Sequence, residues 1–232
     1  MTIVITGASK GLGKAMAEIF AAGGHTLYLC SRGESGLNET VRQLTHRFPA
    51  AVIRFTKADL SEKVSVEKFA AWVLEHDVPD ILVNNAGQFI PGSIHAEPEG
   101  VLDQMLAQNL FSAYHLTRRL LPSMMGKRNG HIFNICSIAS LHAYDNGGSY
   151  SISKYALLGF TRNLREEMKP FGIKVTAVIP GAAYTASWEG AGIDPARIMT
   201  ASDIAIMVEA ASRLSPQACV EDIVLRPVLG DL

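Results

Sequence analysis

The sequence lacks the features that mark several classes of protein. Its formal net charge is only −1 and no block of like charges occurs. Nothing therefore favours binding to nucleic acid or to an anionic membrane surface. No apolar run approaches the roughly 18 residues that a membrane-spanning helix needs. The seven histidines are scattered, with no pairs four residues apart and no clustered cysteines, so we expect no metal site.

Cysteine is also scarce, and its pattern bears on the cellular setting. The three cysteines, Cys30, Cys136 and Cys219, are odd in number and widely spaced. This usage favours a reducing compartment in which the thiols are free and buried. A buried strand predicted from Thr2 onward leaves no room for a signal or transit peptide. We therefore expect a cytoplasmic protein.

The remaining composition is that of a single, core-rich domain. The chain has 232 residues, of which 48% are hydrophobic, and its mean hydropathy is +0.16. Short apolar segments rich in Ile, Val and Thr alternate with amphipathic helical segments, which is typical of a parallel sheet covered by helices on both faces. No repeat, low-complexity tract or linker divides the chain. We predict one Rossmann-like, doubly wound α/β domain over residues 1–232, with about seven strands.

The boundaries of the predicted elements follow from the same patterns. The predicted strands are Thr2–Thr6, His25–Cys30, Ala51–Lys57, Asp80–Val83, His131–Cys136, Ile173–Ile179 and Asp222–Pro227. The predicted helices are Lys14–Ala22, Glu34–Phe48, Val64–His76, Gly100–Met125, Ser149–Pro170 and Ala201–Leu214. Ser61 is the expected N-cap of the third helix, and Thr200 or Ser202 that of the last.

A glycine-rich stretch, Gly7–Gly13 (GASKGLG), separates the first strand from the first helix. Glycines let the backbone turn tightly and approach an anion, and a helix start offers free N–H groups and a positive dipole end. The spacing is not the usual Gly-x-Gly-x-x-Gly, and Ala8 and Ala15 stand where a nucleotide triphosphate loop needs Gly and Ser or Thr. The alternative is a strand–turn–helix corner without a ligand. The candidate cofactor-binding residues here are Gly7, Ser9, Lys10, Gly11, Leu12 and Gly13.

The end of the second strand indicates which dinucleotide would bind. Ser31 and Arg32 stand where dinucleotide folds contact the adenosine ribose. An acidic residue there accepts hydrogen bonds from both ribose hydroxyls, whereas Arg suits a 2′-phosphate. Lys10 adds a second cation on the same side. The pattern favours NADP(H) over NAD(H); the alternative is that both cations are ordinary solvated surface residues.

Two further turns follow predicted strands at the edge of the sheet where ligands bind. Asp59 and Leu60 follow the third strand, within reach of an adenine edge, although Asp59 could also cap a helix. Asn85, Ala86 and Gly87 follow the fourth strand. Small residues with amide side chains suit a turn over which a cofactor passes, but such a turn alone is a weak signal.

Three residues further along the chain could carry out proton chemistry. Tyr150 and Lys154 are four apart in a predicted helix and so share one face. A Lys ammonium one turn away would stabilise a phenolate and lower the tyrosine pKa, which is ordinarily near 10. Ser137, just past the fifth strand, could fix a carbonyl oxygen by a hydrogen bond. An exposed helix pair is the alternative for Tyr150 and Lys154.

These residues together resemble the short-chain dehydrogenase/reductase family, in the family's order and over essentially the whole chain. The resemblance implies a Rossmann-like sheet of seven strands and hydride transfer between NAD(P)H and a carbonyl or an alcohol. The segments that carry it are Gly7–Gly13, Asn84–Gly87, Asn109, Ser137, Tyr150–Lys154 (YSISK) and Pro180–Gly181.

The resemblance also implies roles for single residues. Tyr150 looks like the general acid of reduction and base of oxidation, and Lys154 like its pKa partner and the ligand of the nicotinamide ribose. Ser137 looks like the hydroxyl that orients the carbonyl; it lies 13 residues before Tyr150, as in similar members, which favours it over Ser140. Asn109 looks like the residue that bends its helix and holds a water in the proton relay; a polar interruption of a helix is the alternative.

The cofactor and substrate sites extend to the last third of the chain. Pro180, Gly181 and Thr185 look like the turn and hydroxyl that hold the nicotinamide carboxamide. The expected substrate loop, residues 182–200, is short, and Trp188 could either wall the pocket or anchor the loop. The ending Asp222–Leu232 lacks the glycine-rich sequence common in similar acyl-carrier-protein ketoreductases. Candidates on the substrate side, from position alone, are Gln88, Leu141 and Tyr144.

We therefore predict an NADPH-dependent carbonyl reductase that acts on a small-molecule carbonyl or alcohol. The alternatives are an NAD-dependent alcohol dehydrogenase of the same family, or a dinucleotide-binding sensor without turnover. A sensor would not need Ser137, Tyr150 and Lys154 together. In similar proteins the outer helix faces pair across a two-fold axis, which implies a homodimer or homotetramer.

Overall fold

The computed structural model describes residues 1–185, 192 and 194–231. Seven parallel strands form one sheet in the order β3-β2-β1-β4-β5-β6-β9. A separate parallel pair joins β7 to β8. The strands are β1 (Thr2–Thr6), β2 (Thr26–Ser31), β3 (Val52–Lys57), β4 (Ile81–Asn84), β5 (Gly130–Ile135), β6 (Ile173–Pro180), β7 (Ala183–Tyr184), β8 (Met199–Thr200) and β9 (Asp222–Leu225).

The helices lie between the strands. They are α1 (Gly11–Ala22), α2 (Glu34–Arg47), α3 (Lys63–Leu74), α4 (Val101–Leu106), α5 (Ser112–Lys127), α6 (Gly148–Met168) and α7 (Ala201–Ser212). A π-helical segment, Ala107–Phe111, joins α4 to α5, and short 3₁₀ turns cover Ile138–Ser140, Lys169–Phe171 and Pro195–Arg197.

The central strands are apolar on both sides because both faces of the sheet are covered. Ile3, Val4 and Ile5 of β1 are fully buried. On one face the core includes Phe20 of α1 and Val208 of α7. The core of the other face is built from α3, α5 and α6. This is the doubly wound α/β architecture predicted from the alternation of apolar segments.

The sheet order creates the crevice in which a ligand can lie. The chain runs outward from β1 through β2 to β3, then returns to β4 on the other side of β1 and runs outward again. In open α/β sheets ligands bind beyond the carboxyl ends of the strands at such a reversal. The residues that follow β1, β2, β4 and β5 therefore converge on one site.

Two local expectations were wrong, and a third, the cap of the last helix, is confirmed. The N-cap of α3 is Glu62, not Ser61, because Ser61 is held back by hydrogen bonds to Asp59. Thr200 caps α7 in a capping box with Asp203. Cys30 and Cys136 are buried, but Cys219 is exposed.

Two more features differ from, or lie outside, the expectations. The region predicted as one long helix from Gly100 to Met125 is broken by the π-helical segment, and the pair β7–β8 was not foreseen. Trp188 lies outside the described residues. Among the helices of the described residues, none has the length and hydropathy needed to cross a membrane.

Candidate active site

The loop between β1 and α1 is shaped by its glycines. Gly7 and Gly11 have φ angles of +67° and +57°, which residues with a Cβ rarely adopt. The N–H of Ala8 donates to the carbonyl of Cys30 at 3.0 Å, which ties the loop to the end of β2. The helix α1 begins at Gly11, so the free N–H groups of its first turn face the loop. This is the geometry of an anion cradle at a helix start.

Gly13 is the tightest position of this loop. A Cβ there would lie 2.3 Å from the backbone oxygen of Gly7. We expect Gly13→Ala to destabilise the fold by about 1–3 kcal/mol, because the clash is with backbone that cannot rotate away. The melting temperature should then fall by roughly 2–10 °C, and dinucleotide binding should weaken with it.

Gly159→Ala is the matched control for this prediction. Gly159 lies within α6, and an added Cβ there meets no atom of the described residues within 4 Å. Alanine at this position should leave the melting temperature unchanged or raise it, since alanine favours a helix over glycine. Equal melting temperatures for the Gly13 variant and the unaltered protein would contradict the packing argument.

The turn after β4 is fastened to the glycine loop. The Asn85 side-chain amide donates to the carbonyls of Thr6 and Gly7 at 2.9 and 3.2 Å. The backbone N–H groups of Asn85 and Ala86 both donate to the Thr6 hydroxyl at 2.9 Å. The Asn85 side chain is therefore occupied by hydrogen bonds to the glycine loop. Ala86 and Gly87 form the surface of the turn.

The two cations expected near an adenosine ribose are Arg32, just after β2, and Lys10, in the glycine loop. Arg32 and Lys10 are both exposed. Ser31 is buried, and its hydroxyl donates to the carbonyl of Gly33 at 2.8 Å. The positive charges of Arg32 and Lys10 are therefore exposed to solvent, whereas the Ser31 hydroxyl is hydrogen-bonded within the turn.

Asp59 lies close enough to Arg32 for the positive charge of Arg32 to affect the pKa of the Asp59 carboxyl. Burial disfavours the ionised carboxyl, but hydrogen bonds from the Ser61 N–H and hydroxyl, together with the positive charge of Arg32, hold the pKa of Asp59 below its usual range. Asp59 is thus ionised at neutral pH. Leu60, beside it, is buried.

Ser137, Tyr150 and Lys154 come together beyond the end of β5. Ser137 begins the 3₁₀ turn, where its hydroxyl accepts the N–H of Ala139 at 3.2 Å and lies near enough to the Tyr150 phenol to favour its ionised form. The Ser140 hydroxyl is buried and accepts the N–H of Ser137 at 3.2 Å. Ser137 therefore faces Tyr150, while Ser140 supports Ser137 from behind.

The pKa values of Tyr150 and Lys154 are both shifted by burial. Burial raises the pKa of Tyr150, and the nearby Ser137 hydroxyl opposes this only in part. Burial lowers the pKa of Lys154 to about 8. The Lys154 ammonium donates to the carbonyl of Ile135 at 2.8 Å and lies 5.8 Å from the centre of the Tyr150 ring. The net shift of Tyr150 is thus upward, opposite to the expected lowering by Lys154, because desolvation dominates.

Asn109 connects the turn after β4 to α6. It lies in the π-helical segment, and its side chain exchanges two hydrogen bonds with the backbone of Gln88, at 2.7 and 2.9 Å. Its amide also donates to the hydroxyl of Ser153 at 2.9 Å. A Cβ on Gly87 would lie 2.9 Å from the Asn109 oxygen and 3.7 Å from the Lys154 nitrogen, so only glycine fits between them.

The turn after β6 closes the far side of the crevice. The N–H of Gly181, next to Pro180, donates to the carbonyl of Leu225 at 2.8 Å. Thr185 lies beside the glycine loop, since its Cγ2 is 3.3 Å from the position of a Cβ on Gly11. These residues therefore share a site with the glycine loop.

Comparison with known proteins agrees with this geometry. The sequence profile of the short chain dehydrogenase family matches residues 1–194. The chain belongs to the short-chain dehydrogenase/reductase family. It is 30% identical to an uncharacterized oxidoreductase of Staphylococcus epidermidis, over 97% of this chain and 96% of the relative. It is 33% identical to a sepiapterin reductase of Chlorobaculum tepidum, over 99% and 97%.

A solved structure shows the same fold. An alcohol dehydrogenase from the archaeon Thermococcus sibiricus, solved in complex with 5-hydroxy-NADP, superposes with a TM-score of 0.89. The two chains are 27% identical, and the match covers 98% of this chain and 96% of that one. The single Rossmann-like domain of a short-chain dehydrogenase/reductase, predicted from the sequence, is confirmed.

The structure of this short-chain oxidoreductase also adds residues that the sequence analysis did not foresee. Ser153 accepts from Asn109 and donates to the carbonyl of Tyr150 at 2.7 Å, which its place beside Lys154 could have indicated. The Phe89 ring stands edge-on against Tyr150, with centroids 4.8 Å apart and planes at 76°. Nothing in the sequence marks Phe89, because the contact joins residues far apart in the chain.

The residues predicted on the substrate side are less closely connected to the candidate active site than the other predicted residues are. Tyr144 is partly exposed, and burial of its ring together with the neighbouring Tyr150 raises its pKa to about 12. Leu141 packs against a small buried cluster that contains Cys136. Gln88 is held by its backbone to Asn109. Within the described part of the chain, no group of three or more His, Cys, Asp or Glu side chains could hold a metal ion.

Proposed function

We propose that the protein reduces a small-molecule carbonyl to an alcohol with NADPH as the hydride donor. The observation that carries the proposal is the convergence of the Ser137 hydroxyl, the Tyr150 phenol and, one turn away, Lys154, beside a glycine loop built for phosphate. A proton donor, a hydroxyl that can bind a carbonyl oxygen and a loop that can bind the phosphates of a dinucleotide lie at the same edge of the sheet. Together these groups fit hydride transfer to a carbonyl.

The raised pKa of Tyr150 suits the reductive direction. At neutral pH the phenol keeps its proton and can give it to the oxygen of a carbonyl as that oxygen gains negative charge. The Ser137 hydroxyl binds the same oxygen and fixes its position. NADPH, when bound, supplies the hydride to the carbonyl carbon. The products are an alcohol, the oxidised dinucleotide and a Tyr150 phenolate, which must regain its proton before the next turnover.

Lys154 is proposed to stabilise that phenolate and to bind the nicotinamide ribose. With a pKa of about 8 it is mostly charged at pH 7. We assign Asn109 a place in the route that returns the proton to Tyr150, as the family resemblance implies. Its amide donates to the Ser153 hydroxyl, which donates to the backbone carbonyl of Tyr150, so Asn109 also fixes the helix that carries the phenol.

The proposed cofactor site fits a dinucleotide with a 2′-phosphate. A Cβ on Gly7 or Gly13 would collide with the turn after β4 or with the Gly7 carbonyl, so glycine allows the tight loop that leads into the start of α1, where pyrophosphate would bind. Exposed Arg32 and Lys10 are placed to hold the 2′-phosphate, and Asp59 to accept a hydrogen bond from adenine. The similar Thermococcus sibiricus enzyme was solved with 5-hydroxy-NADP. The proposed site also includes Ser9, Leu12, Leu60, Ala86, Pro180, Gly181 and Thr185.

Removal of the Arg32 guanidinium tests the cofactor assignment. We expect Arg32→Ala to weaken NADPH binding by about 10- to 100-fold, because a charge-assisted contact contributes about 1.5–3 kcal/mol. NADH binding should change less than about twofold, since NADH lacks the phosphate. Fluorescence titration with each cofactor measures both dissociation constants.

Arg42→Ala is the matched control, because Arg42 is an exposed α2 residue paired with Glu39. It should bind both cofactors as the unaltered protein does. Equal affinity for NADPH and NADH in the unaltered protein would rule out the NADP assignment and leave the reductase proposal standing. Absence of binding by either cofactor would contradict the proposed dinucleotide site.

We further propose that residues 182–200 cover the substrate and that the protein is a homo-oligomer. The apolar groove between α5 and α6 supports the second part. Its lining is Leu110, Phe111, Tyr114, His115, Ala156 and Phe160, and Phe111 is 44% exposed. Apolar faces of this kind usually pair with another chain.

A further inference from the structure

The helix that carries Tyr150 and Lys154 has no side-chain cap of its own. Its N-cap is Gly147, and Gly148 and Ser149 begin the first turn. The N–H groups of a first turn need acceptors from elsewhere. Tyr150 is the third residue of α6, so the position of its phenol depends on how this first turn is held.

The carboxylate of Glu97 supplies the missing acceptor. One Glu97 oxygen accepts the N–H of Ser149 at 2.9 Å, and the other accepts the Ser149 hydroxyl. Ser149 is buried and Glu97 is half-buried. A carboxylate is favourable here both as a charged acceptor and because it lies at the positive end of the helix dipole.

The surrounding backbone is shaped to admit this side chain. A Cβ on Gly148, whose φ is +34°, would lie 2.1 Å from the Glu97 carboxylate. A Cβ on Gly92 would lie 2.6 Å from the Glu97 Cγ. Glycines on both sides therefore leave room for the carboxylate against the helix start.

The same loop also contacts Tyr150 directly. The N–H of Gly92 donates to the carbonyl of Asn146 at 3.0 Å, and the Ser93 hydroxyl donates to the Asn146 side chain at 2.9 Å. Phe89 packs its ring against that of Tyr150. The loop after β4 thus touches the tyrosine ring at one end and holds the start of its helix at the other.

We propose that Glu97 is a positioning residue for the reaction. By capping α6 it keeps the Tyr150 phenol within hydrogen-bond reach of Ser137. The inference rests on the proposed role of Tyr150 as the acid. Without the carboxylate, the first turn opens more often and proton donation slows. Cofactor affinity stays within about twofold, because the carboxylate holds the first turn of α6, whereas Lys154 lies in the second turn and the glycine loop and Arg32 belong to other elements.

The test compares Glu97→Ala, Glu97→Gln and Glu99→Ala by kinetics and by hydrogen exchange. Glu99 is an exposed carboxylate on the same loop and serves as the matched control. In Glu97→Ala we expect the amides of the first turn of α6 to exchange at least tenfold faster. We expect kcat to fall about tenfold, with the NADPH dissociation constant within twofold. Glu97→Gln should recover part of both losses, since its amide oxygen can accept the Ser149 N–H. Glu99→Ala should match the unaltered protein.

Three results would overturn the proposal. The first is unchanged exchange in the first turn of α6, and the second is unchanged kcat in Glu97→Ala. The third is a loss of NADPH binding that parallels the loss of kcat, which would indicate general unfolding. If the unaltered protein shows no turnover that depends on Tyr150, the proposed function fails instead, and the exchange rates alone decide whether Glu97 holds the helix.

Discussion

Tyr150→Phe is expected to lower kcat for carbonyl reduction by at least a hundredfold. The variant keeps the ring that packs against Phe89 but loses the hydroxyl that lies near Ser137. A positioned general acid contributes about 10²- to 10⁴-fold to a rate. NADPH affinity and melting temperature should stay close to those of the unaltered protein. The measurement is NADPH consumption across a panel of ketones and aldehydes, with each carbonyl at saturation.

Tyr155→Phe is the control for this prediction. Tyr155 lies on the same helix and is 45% exposed, so removal of its hydroxyl should leave kcat unchanged. Retention of more than about a tenth of the activity by Tyr150→Phe would exclude the phenol as the acid. Absence of NADPH consumption by the unaltered protein with every carbonyl of the panel would favour the dinucleotide-binding sensor.

Lys154→Met is expected to abolish most activity and at the same time to stabilise the fold near pH 7. The Lys154 ammonium is buried, and its pKa falls from 10.5 to about 8. Such a shift corresponds to a cost of at most about 3 kcal/mol for holding the charge inside the protein. Methionine removes that cost but also loses the hydrogen bond to Ile135, which contributes about 1–3 kcal/mol. The net gain in the free energy of unfolding should be about 1 kcal/mol.

The sign of the pH dependence is fixed by the two pKa values. Below about pH 8 the folded and unfolded states both hold the lysine proton, so the whole cost of the buried charge is present. Between about pH 8 and 10.5 the unfolded state binds more protons than the folded state, and the unaltered protein gains stability as the pH rises. The gain in the free energy of unfolding of Lys154→Met over the unaltered protein should therefore become smaller as the pH rises from about 8 to 10.5.

Urea unfolding of both proteins at pH 7 and at pH 9.5 measures this difference. Lys169→Met is the control, because Lys169 is exposed and paired only with the nearby Glu166 on the surface. Its effect on stability should be small at both values of pH. An advantage of Lys154→Met that grows with pH would contradict the assignment of the shift to burial.

The fold was predictable from the sequence because its signals are local. Apolar segments such as Thr2–Thr6 and Ile173–Pro180 are too short and too apolar to be exposed helices, and their alternation with helices determines a parallel sheet. The glycine loop can be recognised in the sequence by its position after the first strand. The order of the strands in the sheet could be predicted only with the help of the resemblance to a family.

The details of the site were harder to predict because they depend on contacts between distant segments. The π-helical turn at Asn109 exists where its side chain meets Gln88, 21 residues away. Glu97 caps a helix that begins about 50 residues later. The upward pKa shift of Tyr150 comes from burial by the folded chain, whereas the sequence shows only its neighbour Lys154.

The contrast between the three thiols has a practical consequence for measuring assembly. Burial raises the pKa of Cys30 to about 12 and that of Cys136 to about 11, so neither offers a thiolate to an alkylating reagent at neutral pH. Cys219 is exposed, at the amino-terminal edge of the sheet, opposite the catalytic groups. A maleimide dye should therefore mark this position selectively and leave the enzyme active. Mixing donor-labelled and acceptor-labelled protein would then report subunit exchange by energy transfer, without any engineered cysteine.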